Sequence, residues 1–257
     1  MASDVAYKLV NINVHSLEEM TMERAQPGPN VRPVSLGEIS KDFNRPPAEL
    51  VGRLARLPIA NISDAMAKAG VLHHEVRPLW PGLQACGPAL TCGTVDLTVK
   101  KFALSLAQPG DVFVLAAGGV HDYACFGELA SNILSARGAA GAVVDGAVRD
   151  VTGIREVGLP VFARAVTPRN YHYPFGLQHG SINRPVVCAG VLVNPGDVIV
   201  AGDDGVVVVP RGIAAEVAAA AEGIQAIETQ SRAAIRSGKA PLAAIEDELR
   251  AAGYAIM

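Results

Sequence analysis

The sequence feature that most constrains the fold is an alternation of short apolar runs with helical segments between residues 109 and 163. Each run is rich in Val and Ala and is bounded by Gly or Pro. The runs cover residues 112–115, 141–146 and 159–163, and helical patterns lie between them at residues 127–134 and 151–157. Strands that alternate with helices in this way are typical of α/β folds with parallel strands. The sequence therefore predicts an α/β fold.

The ends of the chain differ from this central region. Residues 1–45 show no sustained period and contain a Pro- and Gly-rich breaker at 25–30, which predicts an N-terminal extension or arm. Residues 46–257 are predicted to form a single domain. Its further elements are helices beginning at Pro47 and Asn61, a strand region at 79–99, strands at 186–193, 198–200 and 206–209, and C-terminal helices at 213–237 and 241–252.

Composition excludes several classes of protein. Twenty-two Lys and Arg against 25 Asp and Glu give a net charge of −3, which argues against a nucleic-acid-binding surface. No apolar run reaches the ~18 residues of a membrane-spanning helix, so we expect no membrane partner. The N-terminus has no basic segment followed by an apolar block, and the four cysteines form no CxxC pair. We therefore expect a cytoplasmic protein with reduced thiols.

Two charged residues follow the central apolar run. Arg149 and Asp150 come shortly after the predicted strand at residues 141–146 and its Gly turn, where open α/β sheets bind ligands. A carboxylate suits a hard cation such as Mg²⁺ or Mn²⁺, and a guanidinium can hold a carboxylate through two hydrogen bonds. The alternative is an ordinary surface ion pair at a turn.

A predicted helix start provides a second candidate feature. Glu128 follows Gly127 at the beginning of this helix, where free backbone N–H groups can bind an anion. The amides of residues 127–130 could hold a substrate carboxylate, while the Glu128 side chain reaches a water molecule on the cation. A first-turn acid that only satisfies the helix dipole is the alternative.

The spacing of these residues resembles a known family. Glu128, twenty intervening residues, Arg149-Asp150 and then Gly153 is similar to the signature of the class II 4-hydroxy-4-methyl-2-oxoglutarate / 4-carboxy-4-hydroxy-2-oxoadipate (HMG/CHA) aldolases, within the superfamily of the regulator of RNase E activity A (RraA-like proteins). The resemblance covers about residues 47–225. Further matching segments are residues 61–65, the Pro-Gly-Asp turns at 109–111 and 195–197, and residues 203–210.

The resemblance implies a fold, an assembly and residue roles. The fold would be the three-layer swivelling β/β/α type with C-terminal helices, assembled as homotrimers or homohexamers. Asp150 would bind the divalent metal, and Arg149 would bind substrate. The amides of Gly127, Glu128, Leu129 and Ala130 would hold the pyruvoyl carboxylate. The superfamily's non-enzymatic branch, which inhibits RNase E, lacks the Asp of the Arg-Asp pair, so Asp150 favours an enzyme.

Together with this resemblance, the residues predict a metal-dependent pyruvate aldolase with oxaloacetate decarboxylase side activity. Its substrate would be a small 4-hydroxy-2-keto acid, and Arg149 and Glu128 would be catalytic. Two alternatives remain, a protein-binding regulator of the RNase E inhibitor type and a related lyase or isomerase acting on another 2-keto acid. His121 and Asp122 could orient the substrate. His73, His74 and residues 171–173 are more typical of a loop or a subunit contact.

Overall fold

Ten strands and seven α-helices make up the part of the chain that the computed structural model describes, residues 36–94, 96–170, 179–238 and 242–257. The strands are β1 (Arg77–Pro78), β2 (Ala85–Gly93), β3 (Val112–Phe126), β4 (Gly141–Val148), β5 (Val161–Val166), β6 (Ser181–Ile182), β7 (Val186–Cys188), β8 (Val191–Val193), β9 (Val198–Gly202) and β10 (Gly205–Val209). The helices are α1 (Ala48–Leu54), α2 (Ile59–Ala65), α3 (Leu97–Ser105), α4 (Glu128–Ala136), α5 (Val151–Val157), α6 (Ala214–Arg236) and α7 (Leu242–Ala251).

Parallel pairing of β2, β3, β4 and β5 forms the centre of an eight-stranded sheet. The order along the sheet is β1-β5-β4-β3-β2-β9-β10, with β6 also paired to β2. All eight residues of β4 are buried, as expected for a parallel strand covered on both faces. Residues 70–72 hydrogen-bond to β10 just before the chain enters β1, so the sheet almost closes on itself.

Three hydrophobic cores hold the helices and strands together. Helices α3, α4 and α5 pack on one face through Leu104, Leu134 and Ile154. The opposite face packs against strands β7 to β10. Helices α1, α2 and α6 then cover the outer side of β9 and β10. This arrangement confirms the predicted α/β class with stacked β, β and α layers and C-terminal helices. Within the described ranges, no helix is long and apolar enough to cross a membrane.

The structure corrects two local predictions. Strand β3 continues to Phe126, although residues 116–126 had the composition of a loop. Its pairing with β4 shifts register after Leu115, and Gly118 and Gly119 have positive φ angles of 69° and 74°. The strand therefore extends through an irregular stretch, which explains why the glycines resembled a loop.

The second correction concerns the strand region predicted at residues 79–99. It ends with β2 at Gly93 and is followed by helix α3. The Asp96 carboxylate caps this helix by accepting hydrogen bonds from the backbone N–H groups of Thr98 and Val99, at 2.8 and 3.0 Å. The cap satisfies amides that would otherwise lack a partner at the helix start.

The two Pro-Gly-Asp turns, at residues 109–111 and 195–197, have the same local structure. Asp111 accepts a hydrogen bond from the Gln108 N–H at 2.9 Å, and Asp197 accepts one from the Asn194 N–H at 2.8 Å. Both carboxylates are buried and bond to the backbone three residues earlier. Residues 203 and 204 form the tight turn between β9 and β10, which pair as an antiparallel hairpin.

Arg45 attaches the N-terminal segment to this domain. Its guanidinium donates two hydrogen bonds to Asp111, both 2.8 Å long, and Asp111 has no solvent exposure. The Ser40 N–H donates to the Ile182 carbonyl at 3.0 Å. Residues 36–45 of the predicted extension therefore contact the domain, whereas residues 1–35 lie outside the described part of the chain, as do residues 171–175.

We predict that Arg45→Met lowers the free energy of unfolding by about 3 kcal/mol, because it leaves the buried Asp111 carboxylate without its cation. Arg53→Met is the matched control. Arg53 also forms a two-bonded pair, with Glu222 at 2.9 and 3.0 Å, but this pair is exposed. Urea denaturation of both variants should show a much smaller loss for Arg53→Met, and equal losses would contradict the argument.

Candidate active site

A cavity of about 250 Å³ lies where helices α3 and α4 meet the ends of strands β3 and β4. Its walls differ in character. One wall carries Gly127, Arg149 and Asp150, and the other is largely apolar. The apolar lining residues are Leu97, Leu104, Leu129, Ala130 and Ile133. Such a combination of apolar wall and few polar groups is typical of small-molecule sites.

Parallel pairing of β3 with β4 brings the polar residues together. Phe126 lies opposite Val148, and the Arg149 N–H donates to the Phe126 carbonyl at 3.0 Å. The residues that follow the two strands, Gly127 and Arg149, therefore lie at the same edge of the sheet. A Cβ atom at Gly127 would lie 2.7 Å from Asp150 Oδ2 and 3.2 Å from Arg149 Cγ, so this close approach requires glycine.

Asp150 has an uncommon backbone conformation for a non-glycine residue. Its φ angle is 59°, in the left-handed region, and it precedes helix α5 without forming a side-chain cap. Arg149 Nε lies 3.3 Å from Asp150 Oδ2, and both side chains are about two-fifths exposed. Left-handed backbone at a non-glycine residue costs about 1 kcal/mol and is concentrated at functional sites.

The start of helix α4 supplies the same cavity with backbone donors that have no partner among the described residues. Its first intrahelical hydrogen bond runs from the Ser131 N–H to the Gly127 carbonyl, at 3.1 Å. The preceding amides, those of Glu128, Leu129 and Ala130, have no partner within the helix. Gly127 has no side chain to cap them. An anion at this position would accept hydrogen bonds from free N–H groups at the positive end of a helix.

Glu128 is placed differently from its predicted neighbours. Its side chain is exposed and packs over Gly153, where an added Cβ would lie 2.6 Å from Glu128 Cδ. It is not among the residues that line the cavity. The structure therefore brings together Gly127, Leu129, Ala130 and the Arg149-Asp150 pair, and it places the Glu128 carboxylate beside them, towards α5.

Lys100 lines the cavity and was not predicted from the sequence. It is only 5% exposed, and its ammonium donates a hydrogen bond to the Cys125 carbonyl. Burial lowers the pKa of Lys100, and the charge of Arg149 lowers it further. Its position was detectable, because Leu97, Lys100 and Leu104 share one face of α3 at helical spacing. A lysine on the buried face of an amphipathic helix is a functional signal.

Cys125 also lines the cavity but is a poor nucleophile. Its thiol donates to the Ala147 carbonyl at 3.4 Å, and burial raises its pKa to about 11. At neutral pH it therefore carries almost no thiolate, the form that reacts. All four cysteines are free thiols, as predicted.

His121 and Asp122 lie on the exposed part of β3 and do not line this cavity. His121 Nε2 is 3.7 Å from Glu75 Oε2, and Glu75 accepts a hydrogen bond from Arg164 at 2.6 Å. This hydrogen bond lowers the pKa of Glu75. His121 thus belongs to a separate ion-pair network.

The family of the chain follows from comparison with known proteins. Residues 59–208 match the family model described as RraA-like: Aldolase/RraA. The chain belongs to the RraA-like family. This result confirms the resemblance noted in the sequence.

Individual RraA-like relatives fall into differently named groups. A Halalkalibacterium halodurans protein named "Putative 4-hydroxy-4-methyl-2-oxoglutarate aldolase" is 36% identical over 167 residues, which are 64% of this chain and 78% of that protein. Uncharacterized protein MJ0644 of Methanocaldococcus jannaschii is 40% identical over 203 residues, 74% of this chain and 92% of that protein. The crystal structure of Streptomyces coelicolor RraAS2, described as an unusual member of the RNase ES inhibitor RraA protein family, superposes with a TM-score of 0.65 at 32% identity. That match covers 73% of this chain and 98% of the Streptomyces chain.

The donor atoms of this RraA-like site fit one kind of metal. The described residues contain no group of three or more His, Cys, Asp or Glu side chains that could hold a metal ion. A closed zinc site therefore does not fit these residues. Asp150 alone offers a half-exposed carboxylate with no cap bond, which fits a hydrated Mg²⁺ or Mn²⁺ that keeps most of its water ligands.

We predict that Lys100→Met raises the free energy of unfolding by about 1–2 kcal/mol at neutral pH, since it removes a buried cation whose hydrogen bond goes to a neutral carbonyl. Because burial lowers the pKa of Lys100, the unfolded chain binds more protons between that pKa and the ordinary lysine pKa. The difference in free energy of unfolding between Lys100→Met and the wild type should therefore decrease as pH rises through this range. Urea denaturation across pH measures it, with the exposed Lys41→Met as control.

A pH-independent difference between Lys100→Met and wild type would contradict this account of the buried ammonium. A loss of stability in Lys100→Met at neutral pH would contradict it as well.

Proposed function

We propose that this RraA-like protein is a class II aldolase that cleaves a 4-hydroxy-2-keto acid of the HMG/CHA type. The products are pyruvate and a second keto acid, and oxaloacetate decarboxylation is a side activity. The observation that carries the proposal is the convergence of Arg149, Asp150 and the free amides of α4 on one cavity. The aldolase name of the Halalkalibacterium relative supports it.

The reaction requires an acceptor for negative charge. In aldol cleavage the C4 hydroxyl loses its proton, C4 becomes a carbonyl carbon, and the C3–C4 bond breaks. The electron pair of that bond moves to the C2 oxygen and forms the enolate of pyruvate, which is then protonated at C3. Decarboxylation of oxaloacetate passes through the same enolate, so one site can perform both reactions.

The residues of the cavity match these demands. Amides of residues 128–130 would hold the C1 carboxylate, and the Arg149 guanidinium would stabilise the negative charge on the C2 oxygen. A divalent cation held by Asp150 would add Lewis-acid stabilisation of the same oxygen when bound. Glu128, beside the cavity, would take the C4 hydroxyl proton through a water molecule.

The alternative function, a protein-binding regulator of the RNase E inhibitor type, would not use the cavity. A protein-binding inhibitor acts through its surface and needs neither a carboxylate at position 150 nor a pocket of free amides. The close approach of Asp150 to Gly127 favours the enzyme, because it places a carboxylate beside the start of α4 in the same cavity. We further propose that the protein is cytoplasmic, that it assembles as a homotrimer or homohexamer, and that it binds no nucleic acid.

We predict that Arg149→Met and Asp150→Asn each lower kcat/KM for pyruvate release at least about a hundredfold, because each removes charge that acts on the developing enolate. The assay couples pyruvate to a dehydrogenase, with the HMG-type aldol as substrate. Matched controls are Arg155→Met, on the far part of α5 against Trp80, and Asp204→Asn, in the β9–β10 turn. Full turnover by either site variant would refute its assigned role.

We also predict that EDTA stops pyruvate release from the aldol and from oxaloacetate, and that added Mg²⁺ or Mn²⁺ restores it. Asp150→Asn should need a higher metal concentration for half-maximal activity, since it removes the proposed ligand charge. Absence of turnover with metal present, together with metal-independent binding of RNase E, would instead support the regulator.

A further inference from the structure

Protonation of the enolate at C3 is the one step of the proposed reaction to which no residue is assigned. Glu128 is assigned to the C4 hydroxyl, Arg149 to the C2 oxygen and Asp150 to the cation. An acid inside the cavity would protonate the enolate before it reaches water, which keeps a reactive intermediate on the protein. The source of this proton is therefore sought among the residues that line the cavity.

Few of the lining residues carry a group that can exchange a proton. The Arg149 guanidinium does not deprotonate in proteins. The Cys125 thiol donates to a backbone carbonyl, and burial raises its pKa to about 11, so it is a weak acid. Lys101 is exposed to solvent, whereas Lys100 is only 5% exposed. With Asp150 assigned to the cation, Lys100 is the buried proton carrier among the described lining residues.

The Lys100 ammonium lies beside the proposed position of the pyruvoyl group. It donates a hydrogen bond to the carbonyl of Cys125, which is two residues before Gly127. Helix α4 begins directly after Gly127, and its free amides are the proposed site of the C1 carboxylate. C3 of pyruvate is only two bonds from the carboxyl carbon, so an acid beside the carboxylate site is also close to C3.

The charges around Lys100 suit a group that gives up a proton and regains it. Burial lowers the pKa of Lys100, and the charge of Arg149 acts in the same direction. The buried Asp96 carboxylate, one helical turn before Lys100, opposes this shift, and so do the thiols of two cysteines, Cys92 and Cys125. The ammonium is therefore a stronger acid than an exposed lysine, while Asp96 favours its return to the charged form.

We propose that Lys100 is the catalytic acid that protonates the pyruvate enolate at C3. In this step an N–H bond of the ammonium breaks, and the electron pair of the enolate C2=C3 π bond takes the proton. The C2 carbonyl re-forms, and Lys100 is left as a neutral amine. The amine regains a proton from solvent, which balances the proton lost from the C4 hydroxyl. This inference rests on the proposed function, because it assigns the last step of the same reaction.

The reverse of this step provides a test that needs no aldol. With pyruvate and Mg²⁺ in D₂O, the neutral Lys100 amine removes a C3 proton from bound pyruvate, and the methyl protons exchange with solvent deuterium. Proton NMR measures this exchange as loss of the methyl signal. At saturating pyruvate, Lys100→Gln should slow the exchange at least about a hundredfold, as expected for loss of a general acid–base group. The exposed Lys41→Met is the control and should exchange at the wild-type rate.

Lys100→Arg separates proton transfer from charge. Arginine keeps the positive charge and donors for the Cys125 carbonyl, but it does not release its proton. This variant should lose methyl exchange as Lys100→Gln does, while calorimetric titration shows pyruvate binding within about threefold of wild type. Wild-type exchange in Lys100→Gln or Lys100→Arg would overturn the proposal. Loss of pyruvate binding that accounts for the whole loss of exchange would overturn it too, because Lys100 would then act in binding.

Failure of this inference and failure of the aldolase proposal give different results. Pyruvate release from aldols, together with methyl exchange that does not depend on Lys100, would remove only the assignment of Lys100. Pyruvate release by a wild type that exchanges no methyl protons would remove that assignment as well. Lys100-dependent exchange in a protein that cleaves no aldol would remove only the aldolase activity.

Discussion

The parallel pairing of β3 with β4 is the interaction on which the candidate site depends. It sets Phe126 opposite Val148, so the two chains leave the sheet side by side at Gly127 and Arg149. A register slip of one residue would turn the Arg149 side chain to the other face and separate Asp150 from Gly127. The site is therefore specified by the buried Val and Ala residues of the two strands as much as by its polar residues.

Local signals made part of this arrangement predictable. Strand β4 is a continuous apolar run, and helices α4 and α5 each follow a strand and end at or just before a glycine. These patterns arise from backbone and side-chain preferences over a few residues. Whether Gly127 and Asp150 come together depends instead on the pairing of strands far apart in sequence. Propensity does not encode that contact, and here the family resemblance supplied it.

The missed features have physical reasons as well. Two lysines interrupt the apolar pattern of α3, and Thr and Val residues before it favoured a strand, so the cap by Asp96 was overlooked. Consecutive helical residues lie about 100° apart around the axis, so residues 128, 129 and 130 cannot all direct side chains to one cavity. Leu129 and Ile133 share the face of α4 towards the cavity, which leaves Glu128 over Gly153. The sequence spacing placed Glu128 at the helix start, but it did not indicate the direction of the Glu128 side chain.

Buried polar and charged side chains have different partners at the cavity and elsewhere in the described part of the chain. Among the described residues, a single buried side-chain polar atom, Asn183 Oδ1, has no hydrogen-bond partner, and the buried Asp111 and Asp197 are fully paired. At the cavity, by contrast, the hydrogen bond of the buried Lys100 ammonium goes to a neutral carbonyl. Burying an ammonium against a neutral acceptor is costly, so this feature opposes the stability that the rest of the core provides.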